Sequence, residues 1–311
     1  MSKKIEQSNL LELEEFDEEK MKDTVEYYDR RLEEQIDQAI SHIAEIPDLR
    51  LFGLTGPTCS GKTTAARKMT AFLEQRGLCV HVISIDDFYY EKDYLHSRIA
   101  NNPEVEIDYD SEETIDTDLL SEVTDGLLSG RQTQLPRFEF GPGTRGLGEC
   151  IVPGKKDVFL FEGIQILYPK INKILNSGHT YRSLAICPTS SIEIGGEEFF
   201  PNEIRLCRRI VRDYYRRDTS PEFTLFLWKS VRANEEKHIF PNLHLCHTTI
   251  DSTMPYEMGM LKPYLLPLLK SVPKESQYFE EAEQLASRFR NIQDVSASYM
   301  TQNSLYKEFI E

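Results

Sequence analysis

A glycine-rich stretch followed by lysine and threonine carries the clearest chemistry in this sequence. Residues 56–63 read Gly-Pro-Thr-Cys-Ser-Gly-Lys-Thr and fit the pattern G-x-x-x-x-G-K-[ST]. In this pattern backbone N–H groups surround phosphate oxygens, the lysine adds a positive charge, and the hydroxyl is a ligand for Mg²⁺. The stretch therefore predicts an ATP and Mg²⁺ site made of Gly56, Pro57, Thr58, Cys59, Ser60, Gly61, Lys62, Thr63 and Thr64.

Two flanking elements must hold this loop in shape. Ahead of it, residues 51–55 form a short apolar run of strand length. Behind it, residues 63–76 place apolar side chains at helical spacing and end at Gly77. A strand, a tight turn and a helix in this order bring the positive end of the helix to bound phosphates.

Two acidic residues follow predicted strands and are candidates for the chemistry. Asp86 follows the β-branched run 78–84, and Glu162 follows the apolar run 157–161. Open α/β sheets bind their ligands at the carboxyl ends of the strands. We therefore expect Glu162 to join Thr63 on the metal side and Asp86 to face the γ-phosphate, where a carboxylate can accept the proton of an attacking hydroxyl.

Arginines are concentrated in residues 203–217, although the chain as a whole is acidic. A charge run of this kind is usually a solvated helix face, but guanidinium groups suit phosphate oxygens. We favour a phosphate-gripping helical lid, in which Arg209 acts in catalysis and Arg212 contacts ATP. The run contains Arg205, Arg208, Arg209, Arg212, Arg216 and Arg217.

Composition narrows the class of protein. The formal net charge of −16 and the pI of about 5.0 disfavour nucleic acid as a partner, because no basic face is available. Six scattered cysteines without a C-x-x-C pair indicate reduced thiols in a cytoplasmic protein. No apolar run reaches the ~18 residues of a membrane span. We expect a small-molecule substrate and neither nucleic acid nor membrane as partner.

The periodicity predicts an α/β fold with a mostly parallel sheet and three segments of chain. Residues 1–45 form an acidic helical extension, 46–272 the catalytic domain, and 273–311 a helical appendage without readable chemistry. Within the extension, residues 1–20 are expected to be a frayed tail or a solvated helix face. The amphipathic helix after them docks on its own domain or, alternatively, on a second subunit, so a homo-oligomer is possible. Residues 91–110 are expected to form a loop or lid.

Six separated segments resemble the uridine kinase and phosphoribulokinase family of P-loop kinases, most closely a bacterial uridine-kinase-like branch. The resemblance covers roughly residues 45–270 and implies the P-loop NTPase fold with a helical lid. It implies transfer of the γ-phosphoryl group of ATP to a hydroxyl of a small acceptor, most simply a nucleoside. The matching segments are 56–64, 85–89, 136–145, 162–164, 208–214 and 228–241.

The resemblance also implies roles for individual residues. Asp86 matches the family's catalytic base, Asp110 a carboxylate that binds ribose hydroxyls, and Tyr89 an aromatic ring beside the sugar. Arg205 and Arg209 match lid arginines near the acceptor and the phosphates. The expected catalytic residues are Asp86, Lys62 and Arg209; the expected acceptor residues are Tyr89, Asp110, Phe138, Arg145 and Arg205; the expected metal ligands are Thr63 and Glu162.

Two residues depart from the family's pattern, and they leave the identity of the acceptor open. Phe138 and Gly143 stand where uridine- and cytidine-specific relatives carry a tyrosine and a histidine that read the pyrimidine. One alternative is a sugar phosphate gripped by Arg137 and Arg145, an idea that weakens if Arg145 only pairs with a local acid. Another is a low-turnover nucleotide-binding regulator, which the presence of Asp86 disfavours because a pure binder needs no base.

Overall fold

A five-stranded parallel sheet forms the centre of the fold, with the strand order β10-β7-β2-β6-β3. The computed structural model describes residues 10–13, 18–100, 111–177 and 180–310. The strands are β1 (Leu10–Leu13), β2 (Leu51–Thr55), β3 (Cys79–Ser84), β4 (Thr133–Glu139), β5 (Thr144–Ile151), β6 (Asp157–Glu162), β7 (Tyr181–Cys187), β8 (Ser191–Ile194), β9 (Glu197–Phe199) and β10 (Thr248–Asp251). The predicted α/β class is confirmed.

Helices cover both faces of this sheet. They are α1 (Glu18–Ala44), α2 (Lys62–Glu74), α3 (Lys92–Ala100), α4 (Thr117–Leu128), α5 (Pro169–Leu175), α6 (Pro201–Arg217), α7 (Pro221–Asn234), α8 (Glu257–Lys270), α9 (Phe279–Arg288) and α10 (Lys307–Ile310). Alternate strand residues enter two apolar clusters: Phe52 and Leu160 belong to one, Leu51 and Phe159 to the other. Burial on both faces explains why these strands read as continuous apolar runs.

Strand order positions the candidate site. β2 pairs in parallel with β6 on one side and β7 on the other, and β6 pairs with β3. Residues that follow β2, β6 and β3 therefore emerge side by side at one edge of the sheet. The phosphate loop, Glu162 and Asp86 occupy these three positions.

The amphipathic helix predicted from residues 21–43 is present as α1, and its apolar stripe is buried within its own chain. Val25, Ile36 and Ile40 are fully buried in the cluster that also contains residues of α2 and α8. Docking on its own domain, the favoured alternative, agrees with this packing. Association with a second subunit remains a prediction.

Two expectations were wrong. Leu10–Leu13 is not a frayed tail or a helix face but a strand paired in parallel with β8, an edge that no local pattern reveals. Part of the segment expected to be a loop, residues 92–100, forms helix α3. The sequence did not indicate this helix because Leu95, its one leucine, does not make an apolar stripe.

Among the described residues, no helix combines the length and the apolar character needed to cross a bilayer.

Candidate active site

The phosphate loop has the backbone geometry that close approach to an anion requires. A Cβ atom at Gly56 would lie 2.1 Å from the carbonyl oxygen of Ile186, so no larger residue fits. Gly61 has φ 100°, and Cys59 has φ 57° although it is not glycine. Left-handed conformations at two of three consecutive residues turn successive N–H groups toward one point.

Side chains of the loop fit a polyphosphate with a bound metal. The Ser60 hydroxyl is buried and has no hydrogen-bond partner within the described part of the chain, as expected beside an anion site. Lys62 folds over the loop and donates to the carbonyl oxygens of Gly56 (2.8 Å) and Pro57 (3.1 Å). Thr63 is exposed, so its hydroxyl is accessible to a metal ion.

Both strand-end acids lie within electrostatic reach of Lys62. Burial raises the pKa of Glu162 and Asp86, while hydrogen bonds and the Lys62 charge oppose the shift. Conversely, burial lowers the pKa of Lys62, and the two acids raise it. Ser84, the β3 residue paired with Glu162, supplies the opposing hydrogen bond to that carboxylate. The arrangement is a partly desolvated lysine between two carboxylates.

Gln165 is a site residue that the sequence analysis did not identify. Its Nε2 donates to Asp86 Oδ1 at 2.8 Å and to the Tyr89 hydroxyl at 3.0 Å, and the residue is 1% exposed. It stands three residues after Glu162, in a short 3-10 helix that caps β6. The sequence offered one signal for Gln165: the segment 162–164, which matches the family, ends one residue before it.

We expect Gln165→Leu to move the acid limb of the pH–rate profile to higher pH. The Gln165 hydrogen bond lowers the pKa of Asp86. Without it that pKa rises further, so a higher pH is needed to ionise the carboxylate. We expect kcat/KM at neutral pH to fall about tenfold, as for loss of a hydrogen bond to a charged group. A fall in kcat/KM without a shift of the acid limb would contradict this role. The control is Gln132→Leu, which changes an exposed side chain.

Three aromatic rings cluster next to Asp86. Ring centroids lie 5.5 Å apart for Tyr89 and Phe138, 5.2 Å for Phe138 and Phe140, and 6.0 Å for Tyr89 and Phe140. The β4–β5 hairpin that carries both phenylalanines is held by Asp87, whose carboxylate accepts a bond from the Phe138 N–H at 3.0 Å. Phe140 is 67% exposed, so the cluster is open to a ligand.

Gly143, one of the two departures, has a backbone role in this hairpin. Its φ is 70°, and a Cβ atom there would lie 2.8 Å from Lys92 Cβ. The Lys92 N–H donates to the Gly143 carbonyl oxygen at 2.9 Å, which joins the turn to α3. A histidine at this position would be strained.

The two arginines considered for binding the acceptor form ion pairs with acidic side chains. Arg145 lies 2.9 Å from Asp116 and also donates to the carbonyl oxygen of Tyr89 at 3.3 Å. Arg137 is largely exposed and lies 3.6 Å from Asp87. This pairing weakens the sugar-phosphate alternative, on the criterion set for Arg145. Asp110 lies outside the described residues.

Five of the six arginines of α6 fall into two groups, and the first lies beneath the phosphate loop. Arg205 makes two bonds to Glu235 (2.6 and 2.7 Å) and one to the Thr58 carbonyl oxygen (3.2 Å). Arg208 is fully buried against Glu257 and donates to the Cys59 carbonyl oxygen at 3.2 Å. Placement of Arg205 under the loop disfavours the expected contact with the acceptor.

The second group surrounds one carboxylate on the ligand side. Arg209 and Arg212 donate to opposite oxygens of Asp213, at 3.1 Å and 2.6 Å, and Arg217 approaches it to 3.8 Å. Partial burial and repulsion by Arg212 lower the pKa of Arg217. Three guanidinium groups thus share one carboxylate, and the surplus positive charge suits a polyphosphate. Arg217, which also lowers the pKa of Asp86, was not among the expected site residues.

Comparison with known proteins finds similarity to a family of kinases. Residues 51–188 match the Phosphoribulokinase / Uridine kinase family. Over 221 residues the chain is 28% identical to "Uridine-cytidine kinase C" of Dictyostelium discoideum, covering 71% of this chain and 42% of that protein. Over 119 residues it is 33% identical to "Uridine kinase" of Clostridium novyi, covering 38% of this chain and 53% of that protein.

The chain thus spans about half the length of these two relatives. Among solved structures, a possible uridine kinase from Bacillus stearothermophilus is 18% identical, with a TM-score of 0.46, and covers 71% of this chain and all of that one. The relatives are named as kinases, in agreement with the predicted enzyme class. The family match contains the phosphate loop, Asp86 and Glu162, and it confirms the predicted resemblance of this chain to the uridine kinase and phosphoribulokinase family.

Proposed function

We propose that this chain is an ATP- and Mg²⁺-dependent kinase that phosphorylates a hydroxyl of a small molecule, most simply a nucleoside. The observation that carries the proposal is the convergence of Lys62, Asp86 and Glu162 at adjoining ends of β2, β3 and β6. A binding protein would need the loop and the lysine. A buried carboxylate held by Gln165 next to an open aromatic cluster is what an attacking hydroxyl requires.

On the donor side, the loop N–H groups and Lys62 hold the β- and γ-phosphates of ATP. Arg209, Arg212 and Arg217 supply positive charge that stabilises the negative charge on the phosphoryl oxygens during transfer. Because these groups are fixed by Asp213 before the substrate arrives, little reorganisation is needed in the transition state.

Thr63 and Glu162 are the residues that would hold Mg²⁺, which supplies charge neutralisation between the phosphates when bound. An exposed hydroxyl and a partly buried carboxylate are oxygen ligands of the kind that this ion prefers.

On the acceptor side, Asp86 accepts the hydroxyl proton as the acceptor oxygen bonds to the γ-phosphorus. The bond between that phosphorus and the bridging oxygen breaks, and ADP leaves with its electron pair. Gln165 orients the carboxylate by its bond to Oδ1, which leaves Oδ2 for the substrate. Positioning and electrostatics account for the rate enhancement in this scheme.

A nucleoside is favoured over a sugar phosphate for two reasons. The rings of Tyr89, Phe138 and Phe140 offer flat apolar surface to a planar base. Arg145, the arginine best placed to grip a second phosphate, is neutralised by Asp116. The relatives are named as uridine or uridine-cytidine kinases, which supports the same substrate class.

The test is acceptor-dependent release of ADP from ATP and Mg²⁺, measured with uridine, cytidine, purine nucleosides, ribulose 5-phosphate and buffer alone. Stimulation by a nucleoside is expected. Stimulation by ribulose 5-phosphate alone would contradict the nucleoside assignment and identify a sugar phosphate as the acceptor. ATP binding without stimulation by any compound would contradict the nucleoside assignment.

We also propose a cytoplasmic location, which the state of the cysteines supports. All six are free, and Cys187 and Cys207 are buried. Burial raises the pKa of Cys187 to about 12, so this thiol stays protonated and unreactive. Chains of an oxidising compartment generally pair their cysteines.

A further inference from the structure

The C-terminal segment, residues 301–310, lies against the phosphate loop, although the sequence predicted an appendage without chemistry. The Asp29 carboxylate of α1 accepts bonds from the Thr301 N–H at 3.0 Å and hydroxyl at 2.8 Å. The Tyr306 ring is fully buried 5.7 Å from the Arg208 guanidinium, which itself supports the loop. The segment is therefore anchored at its start and middle.

Two side chains of this segment reach the loop. Glu308 Oε2 accepts a hydrogen bond from the Thr64 hydroxyl at 3.1 Å. Leu305 covers Gly61, where a Cβ atom would lie 2.4 Å from Leu305 Cδ1. Thr64 is in the first turn of α2, at the positive end of that helix. A carboxylate thus contacts the first turn of the helix whose N-terminus is expected to face a nucleotide phosphate.

The cations of the donor site respond to this carboxylate. Burial lowers the pKa of Lys62, and Glu308 is among the acids that raise it. Burial alone would also lower the pKa of Arg212, yet Cys59, Asp213 and, least of the three, Glu308 raise it. Glu308 therefore lies within electrostatic reach of two residues assigned to ATP. The same carboxylate thus accepts a hydrogen bond from the Thr64 hydroxyl and adds negative charge near two cations.

We propose that Glu308 is an internal phosphate mimic that occupies the donor site and must be displaced when ATP binds. This inference rests on the proposed function, since it assumes that the loop binds a nucleotide. The contact offsets part of the positive charge of Lys62 and Arg212. Once a polyphosphate enters, the same carboxylate opposes it, because two negative groups compete for Thr64 and the nearby cations.

The geometry allows this displacement without unfolding. Glu308 is half-buried, and α10, which carries it, is only four residues long. The anchors at Asp29 and Tyr306 precede it in the chain and do not involve its side chain. Rotation of the Glu308 side chain clears Thr64, whereas release of the whole final turn would also expose Phe309, which is fully buried.

The test is the Kd for ATP and Mg²⁺, measured by calorimetry on the full chain, for the wild type, Glu308→Gln and Glu283→Gln. Glu283 is an exposed glutamate of α9, so its change removes the same charge elsewhere. We expect Glu308→Gln to bind about tenfold more tightly, and Glu283→Gln to match the wild type. Hydrogen exchange in residues 305–310 of the wild type is expected to rise when ATP binds.

The outcomes separate the two proposals. Equal or weaker binding by Glu308→Gln would overturn the phosphate-mimic role, and weaker binding would make Glu308 a ligand of the bound state. Slower exchange in residues 305–310 with ATP would overturn displacement. Absence of ATP binding in all three proteins would overturn the proposed function itself. Tighter binding by Glu308→Gln without acceptor-dependent turnover would leave the mimic supported and the kinase assignment contradicted.

Discussion

Replacement of Asp86 by asparagine is expected to abolish phosphoryl transfer while ATP still binds. Asparagine keeps an oxygen for the Gln165 hydrogen bond but cannot accept the acceptor proton. General-base catalysis of this kind contributes roughly 10²–10⁴-fold, so we expect kcat to fall about 10³-fold. The measurement pairs acceptor-dependent ADP release with calorimetric ATP binding on the same protein.

The control is Asp118→Asn, which removes an equal charge from the exposed first turn of α4. It should retain wild-type kcat and Kd. Turnover within a few-fold of wild type in Asp86→Asn would exclude Asp86 as the base. Glu162 would then be the remaining strand-end carboxylate within reach of Lys62.

Removal of Glu257 is expected to be the most destabilising single change for the fold. Glu257 accepts bonds from Arg208 Nε at 2.7 Å and Nη2 at 2.9 Å, and both side chains are fully buried. Burial alone would lower the pKa of Arg208, but Glu257 raises it, so the guanidinium stays charged. Glu257→Ala leaves that charge unpaired, and we expect unfolding to require about 3–5 kcal/mol less free energy.

Urea unfolding at neutral pH measures this loss, and Glu283→Ala should change stability by less than about 0.5 kcal/mol. The paired variant Arg208→Met with Glu257→Leu should recover part of the loss, because no isolated charge remains. It should also bind ATP more weakly, since Arg208 holds the Cys59 carbonyl oxygen. A loss below about 1 kcal/mol in Glu257→Ala would contradict a stabilising role for the pair.

Sequence reasoning succeeded where neighbours in the chain determine the structure. The phosphate loop, the helix after it and the strands before Asp86 and Glu162 depend on local spacing and apolar runs. It failed for β1, because its partner β8 lies about 180 residues away and pairing at an edge leaves no mark on a four-residue segment. It also failed for α3, whose single buried leucine makes no stripe.

The sequence by itself determined that this chain has a nucleotide loop, a carboxylate at each of two strand ends and an arginine-rich helix, because these features are set by residue type at fixed spacing. Only the tertiary structure decided what each group faces. It divided the arginines between supports of the loop and the ligand side, paired Arg145 with Asp116, and brought Gln165 to Asp86. It also joined Glu308 to Thr64 across 244 residues of chain. Contacts of this kind depend on how packed elements meet, and burial then fixes which charges pair.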